Sequence, residues 1–107
     1  MFFSAFSALS ALKPKVMLAR RYFVFGDVQG VGFRYFVLHE VQRIGDIRGY
    51  VRNLRDGRVE VFAEAEEQQI QDLEESLRKG PRGGHVVQLE IIPEMTGGKY
   101  LDFRITI

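Results

Sequence analysis

The 107-residue sequence contains no cysteine. Disulfides are therefore excluded, and with them cysteine-based zinc, iron–sulfur and thiol chemistry. That composition fits a reducing, cytoplasmic setting. Histidine is scarce: His39 and His85 are too few for a histidine-built metal centre, and no cofactor is expected. No excess of one charge is present either, the net charge being +1. The charge is unevenly placed. Residues 1–26 carry Lys13, Lys15, Arg20 and Arg21 and no acid, whereas residues 27–107 carry 11 basic and 14 acidic side chains. A slightly acidic body is a poor partner for a polyanion, so nucleic acid is not expected to bind. Local basic groups can still hold a small anion.

A long apolar run is also missing. Phe2 to Leu12 is apolar but short, broken by Ser4, Ser7 and Ser10, against the roughly 20 residues a membrane helix needs. No membrane partner is expected. The segment has no basic residue before Lys13 and no clear small-residue cleavage pattern, so it lacks the marks of a secretory signal. Residues 1–16 read as a non-essential extension, with an export or organelle signal as the alternative. A single domain, residues 17–107, is expected to begin at Met17, and deleting residues 1–16 to leave activity intact. A chain of this size buries roughly 60–70% of its unfolded surface, enough for one core. No repeat or low-complexity linker follows residue 16.

What remains is a regular alternation of elements. Tyr22 to Gly26 is aromatic and valine-rich and predicts a buried strand. Phe33, Phe36, Val37, Val41 and Ile44 recur at helical spacing, and Gly45 ends the pattern. Ile47 to Asn53 predicts a second strand, and Leu54-Arg55-Asp56-Gly57 a turn. Arg58 to Ala65 then returns as a hairpin, with Val59, Val61 and Ala63 facing inward. Glu66 to Lys79 is an amphipathic helix with Ile70, Leu73 and Leu77 inside. Its acids lie at the start and its bases at the end, as the helix dipole prefers, and Gly80-Pro81 stops it. Val87, Leu89 and Ile91 predict a fourth strand closed by Pro93. Leu101, Phe103, Ile105 and Ile107 predict one face of a last strand.

The order βαββαβ plus one strand predicts an α+β, ferredoxin-like two-layer sandwich. In it two helices cover one face of an antiparallel sheet, with an extra C-terminal strand. That fold hosts many functions, so the chemistry has to come from particular residues.

Two stretches carry it. Gly26-Asp27-Val28-Gln29-Gly30-Val31-Gly32-Phe33-Arg34 joins the first strand to the first helix. Glycines there let successive N–H groups turn inward, and a helix N-terminus completes a cradle for a tetrahedral anion. Arg34 can reach back with a planar fork that matches two phosphate oxygens. The alternative is a tight turn with Arg34 solvated. No Gly-Lys-Ser/Thr follows, so the loop is not a nucleotide P-loop, and the glycine spacing is wrong for a dinucleotide fingerprint. The second stretch is Gly49-Tyr50-Val51-Arg52-Asn53, followed by Asp56-Gly57-Arg58-Val59. The Asn53 carboxamide can hold a water in a fixed direction, or it can cap its own turn. From spacing alone the cap is the readier reading.

Together the two stretches resemble the signatures of the acylphosphatase family. G-x-V-Q-G-V-x-F-R matches Gly26, Val28, Gln29, Gly30, Val31, Phe33 and Arg34. The second signature, G-aromatic-V-basic-N-x-x-x-G-x-V, matches Gly49, Tyr50, Val51, Arg52, Asn53, Gly57 and Val59. Its usual closing glycine is Ala65 here. The resemblance runs from about Arg20 to the C-terminus and implies hydrolysis of a small acyl phosphate to carboxylate and inorganic phosphate, without a metal, by a monomer. It implies that the main-chain amides of Gln29, Gly30, Val31, Gly32 and Phe33 bind the phosphate together with Arg34. Asn53 orients the attacking water. No side-chain base is obvious in either stretch, so the substrate's own phosphate is the expected proton acceptor.

Other features read more plainly. His39 is a surface residue and His85 starts a strand. Glu64, Glu66, Glu67, Asp72, Glu74 and Glu75 form a solvated acidic face. Tyr22, Phe23, Phe25, Phe33 and Phe36 belong to the core rather than to a stacking platform. An RNA-recognition module shares the element order, but its third strand carries stacking aromatics, where RVEVFAEA has one aromatic and two acids. A regulatory small-molecule-binding domain remains a rival. So does the acylphosphatase-type domain of hydrogenase-maturation proteins, which handles carbamoyl phosphate but is joined there to zinc-binding domains.

Overall fold

The computed structural model describes residues 15–107, so the expectation for the leading segment lies almost wholly outside the described residues. The elements follow in the order β1 (Met17–Asp27), α1 (Phe33–Ile44), β2 (Arg48–Asn53), β3 (Val59–Glu66), α2 (Glu67–Lys79), β4 (His85–Glu94) and β5 (Phe103–Ile105). They form one sheet in the order β4-β1-β3-β2-β5. The two connections through helices, β1-α1-β2 and β3-α2-β4, interleave, which puts β3 at the centre. Among the described residues no helix is long and apolar enough to cross a membrane.

One face of the sheet packs on both helices. Tyr22, Val24, Val51, Val59, Val61 and Ala63 meet Phe33, Val37 and Val41 of α1 and Ile70, Leu73 and Leu77 of α2. All are buried, and each large side chain contributes about 1.5–3 kcal/mol on leaving water. The Tyr22 hydroxyl is buried with its ring but donates to Glu74 (2.9 Å). Glu74 is thus not merely part of a solvated acidic face. Ala65 is fully buried opposite Leu18, so its methyl is accommodated in the ladder.

The sheet is mixed rather than wholly antiparallel, because β5 pairs parallel to β2. The reason is directional. β4 ends at the edge of the sheet where β2 begins, and residues 95–102 carry the chain across the helix-free face to the far side. It re-enters beside β2 running the same way. This crossing also corrects the reading of Glu64. Glu64 is only 9% exposed, because its carboxylate accepts the N–H groups of Gly97 and Gly98 (3.2–3.3 Å). Tyr100 packs beside Tyr50 and Phe62 on the same face. Every residue of β3 but the last is therefore buried.

Four further expectations are corrected. Val87 faces solvent, 70% exposed, because the β1–β4 register shifts at Phe25/Gly26; Val86 packs inward in its place. Leu101 and Ile107 are exposed because β5 is only three residues long. Phe23 and Phe25 lie outside the core: Tyr22 and Val24 take the inward positions of β1. Pro93 does not close β4, which continues to Glu94; an edge strand tolerates a proline.

Candidate active site

The C-terminal ends of β1 and β2 and the starts of β3 and β4 lie at one end of the sheet. Val24 pairs with Val59, and Val59 with Asn53. Beyond β1 the chain turns back into α1. Gly26 is not part of that turn. It sits in the ladder at the bulge, and a Cβ there would come within 2.1 Å of the His85 carbonyl oxygen. Gly30 and Gly32 do the turning, with φ of 75° and 78°. A Cβ at either meets nothing within 4 Å, so glycine is needed there for its left-handed backbone. Val28 and Phe33, each 1% exposed, anchor the loop in the core from both sides.

Gly32 is the N-cap of α1 and offers no side-chain cap; no acid stands in the first turn. At the junction the Phe36 N–H donates to the Gly32 carbonyl (2.9 Å). Among the described residues, the N–H groups from Gln29 to Tyr35 find no protein acceptor. A helix start of this kind carries about half a positive charge and several free donors.

Arg34 is the second residue of α1 and half-buried. Among the described residues it has no carboxylate partner, whereas Arg21, Arg43, Arg52, Arg58 and Arg104 all have one. Arg58, just before β3, is committed: Asp56 holds it at 2.7 Å, and its guanidinium lies over Phe23 and Phe25 (4.7 and 5.6 Å). The Arg58 bond in turn holds the Asp56 carboxyl below its ordinary value.

Asn53 closes β2. Strand alternation puts it on the same face as buried Val51, the face covered by the helices. Its Oδ1 is buried without a hydrogen-bond partner among the described residues. An orphaned acceptor of this kind costs about 1–3 kcal/mol unless something fills it. The turn-cap reading finds no bond in its favour. The turn is closed instead by the Leu54 N–H to the Arg58 carbonyl (2.8 Å), the Gly57 N–H to the Leu54 carbonyl (3.3 Å) and the Arg58 N–H to Asp56 (3.1 Å).

The sequence named Gln29 only for its main-chain amide. Its side chain spans the two halves of the site: Nε2 donates to the carbonyls of Leu54 (2.6 Å) and Arg58 (2.9 Å). The one signal available was a long amide side chain in a loop of glycines. Arg34 and Asn53 share this end of the sheet without a recorded hydrogen bond between them. Five clefts of about 300–340 Å³ lie elsewhere, and neither residue lines any of them. Among the described residues no group of three metal-ligating side chains stands together. His39 is exposed beside Glu40, as expected.

A two-layer sandwich with two helices on one face of a five-stranded mixed sheet defines a protein of α+β, ferredoxin-like fold. The acylphosphatase family model matches residues 20–105, and the chain belongs to that family and is an enzyme of its kind. The acylphosphatase of Koribacter versatilis (strain Ellin345) is 46% identical over 86 residues, 80% of this chain and 77% of that protein. The acylphosphatase of Actinobacillus succinogenes is 41% identical over 90 residues and is covered to 98%. In three dimensions the acylphosphatase from Bacillus subtilis superposes with a TM-score of 0.80 at 36% identity, over 84% of this chain and 99% of that one. Full-length HypF also matches (TM-score 0.75, 26% identity), but there this chain corresponds to 12% of the protein.

Proposed function

We propose that the protein hydrolyses the carboxyl–phosphate bond of a small acyl phosphate without a metal ion, releasing carboxylate and inorganic phosphate. The main-chain N–H groups of Gln29, Gly30, Val31, Gly32 and Phe33 and the Arg34 guanidinium hold the phosphoryl oxygens. Asn53 Oδ1 accepts a hydrogen bond from water and aims its oxygen at phosphorus. The new O–P bond forms as the bond to the carboxylate oxygen breaks, and the water's proton passes to a phosphate oxygen. A carboxylate leaves readily, so no strong general acid is needed. The chemistry rests on positioning and on charge stabilisation at the equatorial oxygens.

The observation that carries this reading is the buried, unpartnered Oδ1 of Asn53, standing at the same sheet end as a helix start with no cap and no acid. Turnover of benzoyl phosphate tests it. Arg34→Ala should nearly abolish turnover. Asn53→Ala should lower kcat by about 10²–10³ while phosphate binding survives, the usual loss for one well-placed transition-state group. Wild-type activity should persist in EDTA. An Asn53→Ala variant with undiminished kcat sinks the water-directing role, and a strict magnesium requirement sinks the metal-free account. Faster turnover of carbamoyl phosphate than of benzoyl phosphate would favour the hydrogenase-maturation type of activity instead.

A further inference from the structure

We propose that the Gln29 side chain is a positioning residue that fixes Asn53 relative to the phosphate-binding loop. The inference rests on the reading of Asn53 as the group that directs water. Both hydrogens of the Gln29 amide are used, one on the Leu54 carbonyl (2.6 Å) and one on the Arg58 carbonyl (2.9 Å). Those carbonyls are the two feet of the hairpin turn. Each already accepts one N–H of the turn itself, so Gln29 fills their second lone pairs. Leu54 is the residue after Asn53, and the main chain of Gln29 is part of the loop that faces the anion. A single residue therefore joins the two halves of the site, and among the described residues no other side-chain bond links residues 28–34 to residues 53–58.

The linkage has a catalytic consequence. The loop is anchored in the core by Val28 and Phe33 and keeps its shape without Gln29. The hairpin end, with exposed Arg55 and Asp56, is closed by bonds within its own turn, and Gln29 makes the side-chain bonds that hold it against the loop. Loss of the tie thus moves Asn53 and its water more than it moves the phosphate. That displacement lowers kcat and spares binding.

The test is a kinetic cycle on the full chain with benzoyl phosphate, using wild type, Gln29→Met, Asn53→Ala and the double variant, with affinity for inorganic phosphate measured on each. Methionine keeps the length and removes both donors. Gln29→Met should lower kcat about 10- to 100-fold, the range for a small misplacement of a reacting group, with phosphate affinity nearly unchanged. In the Asn53→Ala background the same substitution should cost almost nothing. Gln29→Glu, whose carboxylate would face two carbonyl oxygens, should be slower than Gln29→Met and recover towards it as falling pH protonates it. A Gln29→Met penalty of equal size in both backgrounds overturns the proposal, as does a parallel loss of phosphate affinity. A slow Asn53→Ala with such additivity leaves the reading of Asn53 standing and removes this one. An Asn53→Ala at the wild-type rate removes both.

Discussion

The two polar regions of the molecule are built on opposite rules. On the helix-free face, Glu60 is 3% exposed and both its carboxylate oxygens are partnered: Arg21, Arg52 and the Tyr50 hydroxyl all donate to it. Burial pushes the Glu60 carboxyl up, but the bonds from Arg52 and Arg21 outweigh that and hold it below its ordinary value. Arg21 is tied in addition to Glu94 (2.8 Å). At the site end, by contrast, among the described residues Arg34 has no carboxylate, Asn53 Oδ1 has no donor and α1 has no side-chain cap. The two helix starts repeat the contrast. In α2, Glu66 and Gln69 form a reciprocal capping box; in α1, Gly32 leaves the same positions open. Satisfied polar groups stabilise the fold, and unsatisfied buried ones need a partner from elsewhere, which the proposed substrate and water would supply.

That comparison can be broken or sharpened by substitution. The largest effect belongs to Arg34→Ala: activity should fall by at least about 10²-fold, while stability to urea stays within about 0.5 kcal/mol of wild type, as for a side chain without protein partners. A variant that loses stability instead would show that Arg34 belongs to the satisfied class. Next comes Glu60→Gln, which leaves Arg52 without its carboxylate and Arg21 with Glu94 alone. Breaking a buried pair costs about 3–5 kcal/mol, and the loss here should fall at or below the low end because both arginines are partly solvated. Gln69→Ala removes half of the α2 capping box and should cost about 1 kcal/mol, read from the urea midpoint.

The smallest effect is pH-dependent. Bonds from Arg43 and Ser76 hold Glu40 down at about 2 against an ordinary 4.5, although burial opposes them. A depressed carboxyl stabilises the fold above its unfolded value and loses that contribution as pH falls. Stability contributed by Glu40 should therefore be complete above about pH 4.5 and disappear towards pH 2. Glu40→Gln should flatten that part of the pH–stability curve; an unchanged curve would remove Glu40 from the account.

Much of this architecture was legible in the residues. Helical spacing from Phe33 to Ile44 and the stops at Gly45 and Gly80 gave both helices to within a residue. The signature stretches brought Arg34 and Asn53 to one end of the sheet. What stayed hidden depended on partners far away in sequence. Glu60 and Glu64 alternate with valine and alanine like solvent-facing residues, and only the crossing of residues 95–102, with Arg21 and Arg52, buries them. Val87 broke its alternation because of a bulge set by Gly26 on the neighbouring strand. Gly49 looked like one more motif glycine. Its reason is steric, since a Cβ there would lie 1.9 Å from the Phe62 carbonyl oxygen. The Gln29 tie was invisible because it needs the hairpin to be folded back beside the loop.

The claim under all of this is that the open donors between β1 and α1, with Arg34, form one anion site. Calorimetric titration of inorganic phosphate into wild type, Asn53→Ala and Arg34→Ala addresses it directly. The account predicts saturable binding at a single site in the first two proteins and its loss in the third. Equal phosphate affinity in wild type and Arg34→Ala would contradict it.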